Sequence, residues 1–266
     1  MSLDKIKRGR QKEPVRLVLY GTNGIGKSTF ITQAPNSIIL DIEGGAKHLD
    51  CARFNREDLK TFTEVKLALI SLIDEPHDFK FVGIDTLDWL EQLIFAHTCK
   101  NVSPEKNHQS IEDYGYGKGY VFAQKYWMEF LELLSQLSSL RKMNVILTAH
   151  SIVKNTVPPD ADPYDRYQPD LHKDSFSLIR DWSDGLFFAN YKTYTRKVEV
   201  GMKTIKQGTG DGERVMYCQE RPAFWAKNRW DFPLELPFSF QAFAEHYAAW
   251  LGTNETTDPK GNSSDS

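Results

Sequence analysis

The sequence is defined first by what it has little of. It has only three cysteines, Cys51, Cys99 and Cys218, scattered and without C-x-x-C spacing. That excludes a disulfide framework or a thiolate metal site and predicts reduced thiols. No apolar run approaches bilayer length, and the leader "MSLDKIKRGRQKE" lacks the hydrophobic stretch of a signal peptide. No membrane association and a cytoplasmic location are therefore expected. Net charge is only −3, so no global basic field is available. Any contact with nucleic acid has to come from local patches. No internal repeat is present, and one domain is the expected count.

What is present begins with "GTNGIGKS" at 21–28, after the apolar run "VRLVLY" and before "TFITQAP". The spacing is G-x-x-x-x-G-K-[ST], with Gly21, Gly26, Lys27 and Ser28 in the fixed slots. Strand, glycine turn and helix start make a phosphate cradle of Gly21, Thr22, Asn23, Gly24, Ile25, Gly26, Lys27, Ser28 and Thr29. Lys27 opposes the β- and γ-phosphates and the Ser28 hydroxyl ligates Mg²⁺. ATP and Mg²⁺ are the expected cofactors.

Apolar runs at 15–20, 37–43, 79–85 and 144–150 read as strands buried on both faces. Helical periodicity fills the gaps, longest over "YVFAQKYWMEFLELLSQLSSL", where Tyr120, Ala123, Trp127, Leu131, Leu134 and Leu137 make a core stripe. The expected fold class is α/β, a mainly parallel sheet flanked by helices. Beyond residue 184 the alternation in "DGLFFANYKTYTRKVEVGMK", "RVMYCQERP" and "AFWAKNRW" predicts an antiparallel extension. Residues 1–13 read as a basic arm, and 252–266 as a disordered tail.

Asp85 ends the run "FVGID" and is the expected second Mg²⁺ residue, a role compatible with capping the helix that follows. Thr86 comes next and cannot act as a base. Glu43, after "SIILDI" and before two glycines, is the expected activator of water, at the carboxyl end of a neighbouring strand. Asp41 lies deeper in that strand and is the weaker candidate; it or Asp88 inherits the role if Glu43 does not hold it.

These segments in this order resemble the RecA-family recombinases. "IILDIEGGAKHLD" is similar to the segment with their catalytic glutamate, and "FKFVGIDTLDWL" to their Mg²⁺ strand. "NVILTAHS" resembles the strand ending in their γ-phosphate sensor, with His150 in place of the glutamine of bacterial RecA proteins. "FWAKNRWDFPL" resembles the late strand whose basic pair, here Lys227 and Arg229, reaches a neighbouring subunit's ATP. The chain also looks like phage-encoded RecA-like ATP-binding proteins of the single-strand annealing type.

The resemblance implies a RecA-like ATPase domain over 14–251, DNA-stimulated and Mg²⁺-dependent, acting in recombination or annealing in a phage-infected bacterial cytoplasm. It implies self-assembly into a filament or ring, with single-stranded DNA and a single-strand binding protein as partners. Two DNA-binding loops correspond to 107–119, with Tyr114, Tyr116 and Lys118, and to the proline-rich 151–176, with Lys154, Tyr164, Arg166, Tyr167 and Lys173. A P-loop kinase or a non-catalytic nucleotide switch without DNA binding is the alternative. Against a kinase, the stretch 107–176 has only Arg141 and Arg166 and no arginine-rich lid.

Overall fold

A computed structural model describes residues 6, 9, 12–200 and 203–252, with 194–200 and 203–209 given by their backbone only. The tail 253–266 and most of the basic arm lie outside the described residues. In chain order the elements are β1 (Arg16–Gly21), α1 (Lys27–Thr32), β2 (Ser37–Asp41), β3 (Ala52–Phe54), α2 (Phe62–Asp74), β4 (Phe81–Asp85), α3 (Leu87–Asn101) and α4 (Lys118–Arg141). The second half continues with β5 (Asn144–Thr156), β6 (Tyr164–Pro169), α5 (Lys173–Trp182), β7 (Gly185–Tyr191), β8 (Tyr194–Val200), β9 (Lys203–Thr209), β10 (Arg214–Tyr217), β11 (Lys227–Asn228), β12 (Glu235–Pro237) and α6 (Phe240–Gly252).

The main sheet has the order β12-β10-β7-β1-β5-β4-β2-β3. The strands from β7 to β3 run parallel, while β10 and β12 extend the sheet antiparallel. This is the expected α/β class with one correction: β7, the strand "GLFFANY", is parallel to β1 and belongs to the core. Its burial on both faces explains the placement, because a core strand needs no polar side. Among the described residues β8 and β9 pair only with each other.

Side chains alternate across the sheet and build two cores. Val18 and Tyr20 of β1, with Ile84 and Leu147, meet α2, α3, α4 and α5 on one face. Leu17 and Leu19, with Ile39, Ile146 and Phe187, meet α1 and α6 on the other. The α4 stripe is core as expected: Ala123, Trp127, Leu131, Leu134 and Leu137 are buried, and Tyr120 half-buried. α2 begins with a reciprocal capping box in which Thr61 and Glu64 satisfy each other's backbone amides.

A second correction concerns 151–176. The expected aperiodic loop is a hairpin: β5 runs on to Thr156 and pairs antiparallel with β6, with Ser151 opposite Pro169 and Thr156 opposite Tyr164. The prolines that suggested a loop, Pro158, Pro159 and Pro163, fall in the connection between the strands, where no ladder amide is needed.

Candidate functional site

In the parallel part of the sheet β1, β5, β4 and β2 are consecutive neighbours, and their carboxyl ends release the residues singled out above at one edge. β1 ends at Gly21, where a Cβ would lie 2.2 Å from the carbonyl oxygen of Ala189, so only glycine lets β7 approach. The loop then turns through Gly24 (φ 74°) and Gly26 (φ 107°), left-handed conformations that glycine adopts without strain. Ile25 between them is fully buried and pins the loop to the core.

Lys27 opens α1 and is itself buried, its ammonium donating to the carbonyls of Gly21 (3.1 Å) and Thr22 (3.2 Å). Burial lowers its pKa, opposed by the carboxylates of Asp85, Glu43 and Asp88. The Ser28 hydroxyl donates to Asp85 Oδ2 at 2.5 Å. The other oxygen of Asp85 accepts from Thr148 Oγ1, also at 2.5 Å. Asp85 is 1 % exposed, so both of its oxygens are aimed by hydroxyls from different elements.

Glu43 leaves β2 beside Asp85, its amide donating to the Asp85 carbonyl at 3.0 Å. Arg56 steadies this turn by donating to the Glu43 carbonyl at 3.1 Å, and its guanidinium lies over the Trp89 ring at 4.5 Å. Burial raises the Glu43 carboxyl, opposed by the nearby imidazole of His150. Asp41 is otherwise occupied: its carboxylate accepts from the amides of Gly44 (2.9 Å) and Ala46 (3.1 Å) and closes the turn that projects Glu43.

His150 stands between two carboxylates. Its Nδ1 lies 2.8 Å from Asp88 Oδ2, its backbone amide donates to Asp88 Oδ1 at 2.9 Å, and its Nε2 lies 3.7 Å from Glu43. The hydrogen bond to Asp88 raises the imidazole pKa, against the effect of burial. Burial alone would raise the Asp88 carboxyl; the bonds from His150 outweigh it and leave Asp88 below its ordinary value. Asp88 and Thr148 are the partners that sequence reasoning underrated. Both are legible in hindsight, Asp88 on the first turn after Asp85 and Thr148 two residues before His150 on the same strand face.

The loop, Glu43, Asp85 and His150 line one cleft of about 300 Å³. Its donor set fits a nucleotide with Mg²⁺. The Thr22 hydroxyl oxygen is buried without a partner among the described residues, beside the glycine cradle. Mg²⁺ is held by one or two oxygen ligands plus phosphates and water, which Ser28 and Asp85 can supply. Among the described residues no group of three or more His, Cys, Asp or Glu is arranged to hold a metal ion by itself.

The basic pair is elsewhere. β11 pairs with the start of β7, Lys227 opposite Leu186, at the amino end of the parallel strands and away from the loop. Lys227 Nζ donates to the carbonyls of Arg180 (2.6 Å), Asp181 (3.2 Å) and Ser183 (2.6 Å), closing the end of α5. Arg229 pairs with Asp184, which also holds Arg16. Both cations expected to reach a neighbouring subunit's ATP thus have partners within this chain, Lys227 in the carbonyls at the end of α5 and Arg229 in Asp184.

The candidate DNA residues divide. Arg166 is buried, ion-paired with Glu220 and stacked on Trp225 at 3.9 Å, so its guanidinium is committed to the interior. Tyr167 stacks on Phe188, and the Tyr114 hydroxyl donates to the carbonyls of Thr98 and Val102, tying its loop to the end of α3. Tyr116, Lys118, Lys154 and Lys173 are exposed and Tyr164 half-exposed. Tyr120 and His172 stack face to face at 3.7 Å, joining the starts of α4 and α5, and Lys154 and Lys173 both act on His172 electrostatically. Beneath them Glu91 accepts the His172 amide at 3.0 Å. Burial raises its carboxyl pKa to about 7, against bonds from Ser175 and His172.

Among the described residues no helix is long and apolar enough to cross a membrane. A family model described as "AAA domain" matches residues 13–230, most of the chain. No curated protein matches in sequence. Among solved structures the chain is similar to one titled "Crystal structure of the RadB recombinase", at 13 % identity and a TM-score of 0.42, covering 86 % of this chain and 90 % of that one. The chain belongs to the AAA-domain family.

Proposed function

We propose, with membership of the AAA-domain family as the premise, that this protein is an Mg²⁺-dependent ATPase whose turnover responds to single-stranded DNA. The observation that carries the reading is the convergence of the Ser28–Asp85 pair and the Asp88–His150–Glu43 array on one cleft. Bound ATP brings a γ-phosphate whose transfer needs an aligned water and a stabilised charge. Lys27, Ser28 and Asp85 bind and orient; Glu43 takes the proton of the attacking water. His150, its Nδ1 fixed by Asp88, turns Nε2 toward the cleft and donates to developing charge.

The DNA reading is supported by exposed cations and a ring, Tyr116, Lys118, Lys154 and Lys173, with Tyr164 at the edge of the hairpin. Aromatics among cations bind single strands without reading sequence. Annealing or recombination of phage DNA by an oligomer is the biological role proposed. Supplying ATP with and without single-stranded DNA tests it. Stimulated phosphate release supports the proposal; phosphate passed to a small acceptor would indicate a kinase, and binding without turnover a switch.

A further inference from the structure

A phosphate loop works only while its peptide groups present N–H and not C=O to the anion. In this loop some carbonyls are restrained by a known hand: Lys27 takes those of Gly21 and Thr22. The carbonyl of Gly26 accepts the Phe30 amide at 2.9 Å as the first hydrogen bond of α1. The Ile25–Gly26 peptide is the half-buried link between them. Residue 25 is anchored by a buried side chain, but the plane turns on the ψ of Ile25 and the φ of Gly26, and Gly26, at φ 107°, has no side chain to resist that rotation.

One guanidinium holds that plane. Arg214 Nη1 donates to the Ile25 carbonyl at 3.2 Å. It also lies 2.9 Å from the point a Gly26 Cβ would occupy, with the Phe238 ring at 3.5 Å on the same side. The backbone of Arg214 is anchored: it starts β10 opposite Tyr191 of β7, and its carbonyl accepts the Phe238 amide at 3.0 Å. In a planar trans peptide the C=O and N–H point in opposite directions. Drawing the Ile25 carbonyl outward therefore turns the Gly26 amide inward.

We infer that Arg214 is a positioning residue of the nucleotide site, locking the Ile25–Gly26 peptide in the orientation that receives phosphate. The inference rests on the reading that this loop binds nucleotide. It gives the antiparallel extension of the sheet a part in binding, since the guanidinium comes from β10 and from no parallel strand. It also gives Gly26 a second reason to be glycine, because any side chain there would displace the guanidinium.

Titration calorimetry with ADP and with ATP, each with Mg²⁺, on Arg214→Met and Arg214→Lys tests this. Losing one hydrogen bond that orients a charged ligand's donor should weaken both nucleotides about tenfold. The loss should persist in about 1 M salt, where screening acts within about 3 Å. Lysine keeps the charge, but its ammonium ends one bond short of the Nη1 that reaches the Ile25 carbonyl, and the variant should remain impaired. Because Arg214 is exposed, melting temperatures should match the wild type. Unchanged ADP affinity overturns the inference, as does a loss confined to ATP, which would mean direct γ-phosphate contact. Full rescue by lysine, or a defect that vanishes in high salt, reduces Arg214 to a distant charge and also overturns it. Wild-type protein that binds neither nucleotide would instead sink the nucleotide reading itself.

Discussion

Asp88 grips His150 at two points, its carboxylate accepting the backbone amide at 2.9 Å and facing Nδ1 at 2.8 Å. The strand end and the first turn of α3 are thereby tied at the residue that faces Glu43. The ring has one orientation, with Nε2 directed at the cleft. Replacing Asp88 with Asn keeps the shape and removes the charge. His150 should then titrate closer to 6.5, its ordinary value, than in the wild type. An NMR titration of the ring protons reads this directly; an unmoved midpoint would mean that Asp88 does not set the imidazole's charge.

Lys27→Met should cost at least about a hundredfold in ATP affinity, because a buried cation facing the phosphates contributes several kcal/mol. Fluorescent-nucleotide titration suffices to check it. Tight binding by the variant would remove the phosphate role from this loop.

Glu43→Gln should leave nucleotide bound and lower turnover about a hundredfold or more, the usual cost of losing a general base. The raised Glu43 pKa sets the sign of the pH profile: turnover should fall on acidification at a higher pH than for a solvent-exposed carboxylate. A variant with wild-type kcat would exonerate Glu43. The role would then pass to Asp41 or Asp88, each already bonded, Asp41 to the amides of Gly44 and Ala46 and Asp88 to His150.

Glu91 makes a stability prediction with a definite sign. Its folded pKa of about 7 exceeds the ordinary 4.5, so between those values the native state binds more protons than the unfolded chain. Stability therefore falls as pH rises through this window, by up to about 3 kcal/mol. Glu91→Gln should abolish that part of the slope and be the more stable protein above pH 7. Urea unfolding of both proteins at several pH values measures the difference; parallel curves would refute the shift.

Lys227→Met should lower stability by about 1–3 kcal/mol, because it strands carbonyls of Arg180, Asp181 and Ser183 near the end of α5. If Lys227 instead served a neighbouring subunit's nucleotide, the variant would keep its melting temperature and lose activity that mixing with Glu43→Gln protein restores. Thermal melts and a mixing assay together decide between the two.

The residues of the cleft were legible from sequence because the signals are local. Glycine spacing reports backbone conformations that few other residues adopt, and a carboxylate closing an apolar run reports a strand end. Gly21, Lys27, Ser28, Glu43 and Asp85 needed nothing else to be singled out, whereas His150 was reached through the family resemblance of its strand. The α/β class followed from periodicities of the same short range, and the α4 core stripe with it.

What the sequence could not determine was every feature set by pairing across long separations. "GLFFANY" alternates no differently whether its neighbour runs parallel or antiparallel, so only docking on β1 made it a core strand. The prolines of 157–163 mark a break, but the register of Ser151 with Pro169 is a tertiary fact. Arg166, Lys227 and Arg214 are indistinguishable as cations in a list of residues. Folding buries the first against Trp225, spends the second on the end of α5 and lays the third on the phosphate loop. A charged side chain goes to whichever partner best replaces its water, and that partner is known only once the chain has closed.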